Sequence, residues 1–202
     1  MRSRTLDHLP GRCPRCWIRL EHCLCAEVPA VPARTEVLVV RHVRESEKST
    51  STVRVAALAL KGLRFVDFGD DPAQAEAELA PLIHGAALLF PAEGAALARP
   101  EEVRQLVVLD GTWRQTRRML KKLPSLGPLP RLVLPPKADA PLRLRESPTP
   151  EGRSTLEALA DAYQLLEGPA VSEPLHRLHA LMVERVFKAR GVWELKKAAA
   201  LE

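Results

Sequence analysis

Two clusters in this 202-residue chain combine residue types and spacings that could do chemistry. The first is Asp110-Gly111-Thr112-Trp113, which follows the apolar run Gln105-Leu106-Val107-Val108-Leu109 and precedes a basic stretch. A carboxylate at the end of a buried strand can move a proton or hold a cation, and ligands of open α/β sheets bind outside the carboxyl ends of such strands. Gly111 permits a tight turn, Thr112 can cap a following helix, and Trp113 offers a flat face to a purine or uracil ring. The same residues would also serve as plain caps and core, and residue type alone leaves both readings open.

The second cluster is Cys13-x-x-Cys16 followed, after six residues, by Cys23-x-Cys25. A C-x-x-C turn points two thiolates at one ion, and a second close pair completes a tetrahedral S₄ set. Zinc would also stabilise a segment too short to build its own core. Disulfides conflict with the cytosolic context argued below, and a redox C-x-x-C normally opens a helix of a βαβ unit, which this one does not. Structural zinc on Cys13, Cys16, Cys23 and Cys25 is the expectation, with no open position for chemistry. Arg12, Arg15, Arg19 and Trp17 interleave with these cysteines. They could contact RNA or simply be solvated, and both readings stand.

After Trp113 the cations Arg114, Arg117, Arg118, Lys121 and Lys122 recur at helical spacing and share one face, opposite a stripe of Trp113, Thr116, Leu120 and Leu123. That face carries no acid, which phosphate contact explains better than a merely solvated surface.

The elements that must position these groups alternate along the chain. Strand-like runs are Glu36 to Arg41, Arg64 to Phe68, Ala86 to Phe90, Leu106 to Leu109 and Arg131 to Leu134. Between them lie helical patterns over Thr50 to Lys61, Pro72 to Leu82 and Thr112 to Leu123, and two more follow over Ser154 to Leu166 and Glu173 to Arg190. Doubly apolar strands separated by amphipathic helices predict an α/β fold with a mostly parallel sheet covered on both faces. The proline-bearing stretch Val28-Pro29-Ala30-Val31-Pro32 separates the cysteines from this core. The organisation is therefore a cysteine-rich module and linker over 1–32, an α/β domain over 33–197, and a tail over 198–202 that reads as a vector-derived scar.

Composition agrees with a folded protein, at 46% hydrophobic and 27% charged. No apolar run approaches the roughly 20 residues of a membrane span, and no apolar leader precedes the first cysteine, so a cytoplasmic location without a membrane partner is expected. No protein partner is evident. The net charge of +5 and pI near 9.3 favour a polyanion.

With these residues in place the sequence resembles the DTW-domain family, named for an Asp, Thr and Trp such as Asp110, Thr112 and Trp113. The resemblance runs through the cysteine module, Arg41-His42 to Glu45, Ser49-Thr50-Ser51-Thr52, Leu89-Phe90-Pro91-Ala92-Glu93, Leu129-Pro130-Arg131, Leu144-Arg145 and Ser154-Thr155-Leu156-Glu157-Ala158. It implies a tRNA-uridine aminocarboxypropyltransferase, which moves the 3-amino-3-carboxypropyl group of S-adenosylmethionine to N3 of uridine. It also implies a SPOUT-like sheet with a knotted C-terminal part. Where relatives often show Asn-Thr, this chain has Ser51-Thr52, without the side-chain amide.

On that reading Asp110 takes the N3 proton or holds the donor's ammonium group. Leu89, Phe90 and Pro91, Gly111, Thr112 and Trp113, and Ser154, Thr155 and Glu157 form three donor loops, the last also a capping box whose helix N-terminus suits a carboxylate. Arg41 and His42 join Arg114, Arg117, Arg118, Lys121 and Lys122 as RNA contacts. His176 and His179 are read as structural or surface residues. The rival functions are an S-adenosylmethionine-dependent RNA methyltransferase and a non-catalytic, zinc-stabilised RNA-binding protein.

Overall fold

The computed structural model describes residues 10–136, 142–144 and 152–199; Arg145 and the end of the tail, Ala200 to Glu202, lie outside them. The strands are β1 (Glu36–His42), β2 (Arg64–Phe68), β3 (Ala87–Leu89), β4 (Gln105–Asp110) and β5 (Arg131–Leu132). The helices are α1 (Val43–Ser46), α2 (Thr52–Ala59), α3 (Pro72–Leu79), α4 (Trp113–Lys122), α5 (Thr155–Leu166), α6 (Pro169–Ala189) and α7 (Trp193–Ala199). All five strands are parallel, in the order β2-β1-β4-β3-β5. The α/β reading and the parallel sheet therefore hold. Among the described residues no helix is long and apolar enough to cross a membrane.

The two-residue period of β1 divides the core. Val37 and Val39 pack with Val53 of α2, Leu156 of α5 and Leu175 of α6, whereas Leu38 and Val40 pack with Leu79 of α3 and Met119 of α4. Strand β4 is buried along its whole length because helices cover both faces. The cysteine segment joins the first layer, with Cys16, Ile18 and Leu24 in the same apolar cluster as Val39 and Leu106.

Several boundaries differ from expectation for local reasons. Helix α2 begins at Thr52 rather than Thr50, leaving Ser51 at its N-cap. Helix α6 begins at Pro169, four residues before Glu173, because a proline at the first helical position loses no hydrogen bond and Gly168 adopts φ 81° just before it. On α4 the buried stripe runs through Thr116 and Met119, and Trp113 stands 41% exposed rather than in the core. Helices α1 and α7 were not anticipated, being too short to show a period.

Candidate active site and cysteine cluster

The carboxyl ends of β3, β4 and β5 open into one cleft of about 670 Å³. From β3 come Leu89, Phe90 and Pro91; from β4 and its turn come Asp110, Gly111, Thr112 and Trp113; from α5 come Ser154, Thr155 and Glu157. The three expected loops thus converge on a single space. It is a switch point of the sheet, since β4 pairs with β1 although β2 and β3 intervene in sequence, placing Asp110 opposite Arg41 in register.

Asp110 is the last residue of β4 and is 7% exposed. Its Oδ1 accepts a 2.6 Å hydrogen bond from the Thr155 hydroxyl. The adjoining turn is held by a capping box: Gln115 N–H donates to Thr112 Oγ1 at 3.4 Å, and Thr112 N–H donates to Gln115 Oε1 at 2.7 Å. Gly111 leaves room rather than supplying a left-handed backbone: a Cβ there would lie 3.1 Å from Gln115 Cβ and 3.2 Å from its Oε1, so the capping glutamine would have to shift. Trp113 meets Phe90 edge-on, ring centroids 5.8 Å apart, and keeps much of its indole open to the cleft. The capping reading of Thr112 therefore holds, and Trp113 faces the cleft rather than the core.

Helix α5 repeats the device, with Ser154 N–H donating to Glu157 Oε2 at 2.9 Å and Glu157 N–H to Ser154 Oγ at 3.3 Å. Facing it from α6, His179 lines the cleft with its Nε2 3.6 Å from Glu157 Oε2. The sequence reads His179 as a structural or surface residue, and no local signal pairs it with Glu157. Glu45 of α1, buried and paired with Lys48, also lines the cleft, as do Thr50, Ser51 and Thr52. His176 pairs with Asp161 at the surface, as its helix position suggested.

The cationic residues divide. Arg114, Arg117, Arg118, Lys121 and Lys122 are all exposed along α4, and Arg114 reaches the cleft rim. Arg41 instead makes two hydrogen bonds to Asp67 at 2.8 and 3.0 Å and lies over the Phe65 ring at 4.5 Å. His42 is buried, caps α1 by accepting from Arg44 N–H at 3.2 Å, and does not line the cleft. Burial first, and then the Arg44 cation, hold its imidazole below the usual range, so it is a neutral acceptor at pH 7.

The four cysteine sulfurs lie within 4.8 Å of one another. Burial pushes the Cys16 and Cys25 thiols up. Burial also acts upward on Cys13, but the Cys16 and Arg15 N–H groups and the neighbouring sulfurs bring it down to about 6. Four sulfurs this close together form a ligand set that could hold one metal ion. Trp17, immediately after the C-x-x-C turn, takes φ 62°, and Arg54 of α2 lies 3.6 Å over its ring while donating to Ser46 O at 2.6 Å. The module is thereby tied to the segment that precedes α2.

The DTW domain matches residues 11–187. The tRNA-uridine aminocarboxypropyltransferase 2 of Macaca fascicularis is 28% identical over 173 residues, covering 77% of this chain and 56% of that protein. The protein of the same name from Mus musculus is 29% identical over 183 residues, covering 80% and 59%. That from Drosophila melanogaster is 27% identical over 191 residues, covering 85% and 73%. This chain thus spans less than two thirds of the length of the two mammalian relatives. No solved structure matches it.

Proposed function

This chain belongs to the DTW domain family, and from that premise we propose that it transfers the 3-amino-3-carboxypropyl group of S-adenosylmethionine to N3 of a uridine in tRNA, releasing 5'-methylthioadenosine. One observation carries the reading: the Asp110 carboxylate, oriented by Thr155, faces a large cleft between an open indole and a helix of exposed cations. The names of the relatives supply the group transferred and the acceptor class.

When bound, the donor supplies a γ-carbon made electrophilic by the neighbouring sulfonium. The protein's part is orientation and proton removal. Asp110 takes the N3 proton of the uracil. Trp113 gives the base a face to stack on, and Phe90 holds that indole from its edge. Leu89 to Pro91 and Gly111 to Trp113 enclose the donor from the sheet side, with Ser154, Thr155 and Glu157 opposite. The α4 ridge of Arg114, Arg117, Arg118, Lys121 and Lys122 follows the phosphate backbone. Cys13, Cys16, Cys23 and Cys25 would hold zinc as a structural ion, binding four thiolates and keeping the module folded. A SPOUT-like knotted C-terminal part, a cytoplasmic location and action without an obligate protein partner belong to the same reading.

The test is incubation of the protein with donor and unmodified tRNA, followed by mass spectrometry of the nucleosides and identification of the leaving group. Aminocarboxypropyl-uridine with 5'-methylthioadenosine is expected. S-adenosylhomocysteine as the only leaving group would make the protein a methyltransferase, and no calorimetric signal with the donor would make it an RNA-binding module.

A further inference from the structure

Three helix N-termini open into the cleft, and they are not equivalent. Those of α4 and α5 are occupied by their own capping boxes, and α5 also gives its Leu156 N–H to Thr52 Oγ1 at 3.4 Å. Helix α2 is different: Ser51 sits at its N-cap in extended conformation but makes no capping bond. Ser51 is 5% exposed, lines the cleft, and its Oγ has no hydrogen-bond partner among the described residues. A buried hydroxyl in that state is destabilising unless something else bonds it. The first-turn N–H groups of an uncapped helix carry partial positive charge and suit an anion.

We infer that Ser51 and the N-terminus of α2, rather than the N-terminus of α5, form the subsite for the carboxylate of the donor's amino-acid end. The inference rests on the donor reading proposed above. Glu45, which faces the same cleft, is neutralised by Lys48 and so does not exclude an anion. The serine hydroxyl donates to one carboxylate oxygen and the helix N–H groups donate to the other. The arrangement leaves Thr155 committed to Asp110 and Ser154 committed to its cap.

Calorimetry on the full chain tests this with two probes, S-adenosylmethionine and 5'-methylthioadenosine, which share a nucleoside but differ in the amino-acid end. Ser51→Ala is expected to weaken S-adenosylmethionine about tenfold, the loss of one hydrogen bond to a charged group, and to leave methylthioadenosine unchanged. The same variant should unfold at the same or a slightly higher temperature, because an unbonded buried hydroxyl is removed. A lower unfolding midpoint with unchanged donor affinity would make Ser51 a plain helix cap and overturn the inference, as would equal losses for both probes. Ser51→Asp keeps a good capping residue, so it protects the fold while placing a negative charge in the subsite. It should lose S-adenosylmethionine and retain methylthioadenosine; donor binding at the wild-type level would overturn the proposal. Wild-type protein that binds neither probe would bring down the donor reading itself, whereas failure of the subsite alone leaves wild-type donor binding intact.

Discussion

The hydroxyl of Thr155 donates to the carboxylate of Asp110 at 2.6 Å, joining the first residue of α5 to the last residue of β4 across 45 positions of sequence. The bond orients the carboxylate in the cleft. If Asp110 removes the N3 proton, Asp110→Asn should lower turnover by about two to four orders of magnitude while calorimetry shows unchanged donor binding. Thr155→Val should lower kcat with little change in KM for the donor, and Thr155→Ser, which keeps the hydroxyl, should restore most of it. Full turnover in Asp110→Asn would remove Asp110 from the chemistry.

The cysteine module shares the apolar layer beneath the sheet, with Cys16 1% exposed and Leu24 fully buried. Metal analysis of purified protein should give one zinc per chain. Chelation, or Cys16→Ser, should lower the midpoint of thermal unfolding by about 5 °C or more, since the ligands, Ile18 and Leu24 lose their geometry together. Trp17→Ala should perturb the cleft too, because Arg54 would lose the ring it stacks on and its hold on Ser46.

Exposed cations on α4 should act through phosphate contact. Arg117→Ala and Lys121→Ala should each weaken tRNA binding uniformly across sequences and reduce the slope of log affinity against log salt by about one. Donor affinity should not move. A salt slope equal to that of the unmodified protein would separate the ridge from the RNA path.

Glu167 anchors the far end of the sheet, accepting the Arg34 and Thr35 N–H groups at 2.9 and 2.7 Å with its side chain 4% exposed. Burial pushes its carboxyl up, but the two N–H donors prevail and hold it below the ordinary 4.5. A depressed carboxylate stabilises the fold above the unfolded-state value and ceases to do so as pH falls through the folded one. Glu167→Gln should therefore cost about 1–2 kcal/mol at pH 7, with the gap to wild type closing below about pH 4.5 in urea titrations. A constant gap across that range would show that packing, and not charge, is responsible.

Much of the site was legible because its signals are local. Thr112 announces its helix as a capping residue type at a strand end, and Ser154 as an acceptor placed three residues before a Glu, a spacing set by helix geometry alone. The doubly apolar run ending at Asp110 marked a buried strand with a carboxylate at its end. Other assignments needed distant partners. Arg41 looked free until Asp67 and Phe65 of the neighbouring strand engaged it, and His42 looked available until burial and Arg44 took it. The place of His179 beside Glu157 was not visible, because only the packing of α6 on α5 brings the two together.

By itself, then, the sequence determined the five strands, most of the helices, the caps at Thr112 and Ser154, the cysteine set and the cationic face of α4, since each depends on residues within a few positions of one another. The tertiary structure decided the strand order, the burial of Ser51, and the meeting of Thr155 with Asp110. Those depend on which distant elements pack together, and that is set by how the apolar faces of the whole chain are covered. Asp110 was recognisable as a carboxylate at a strand end; its partner emerged only when α5 came to rest over the cleft.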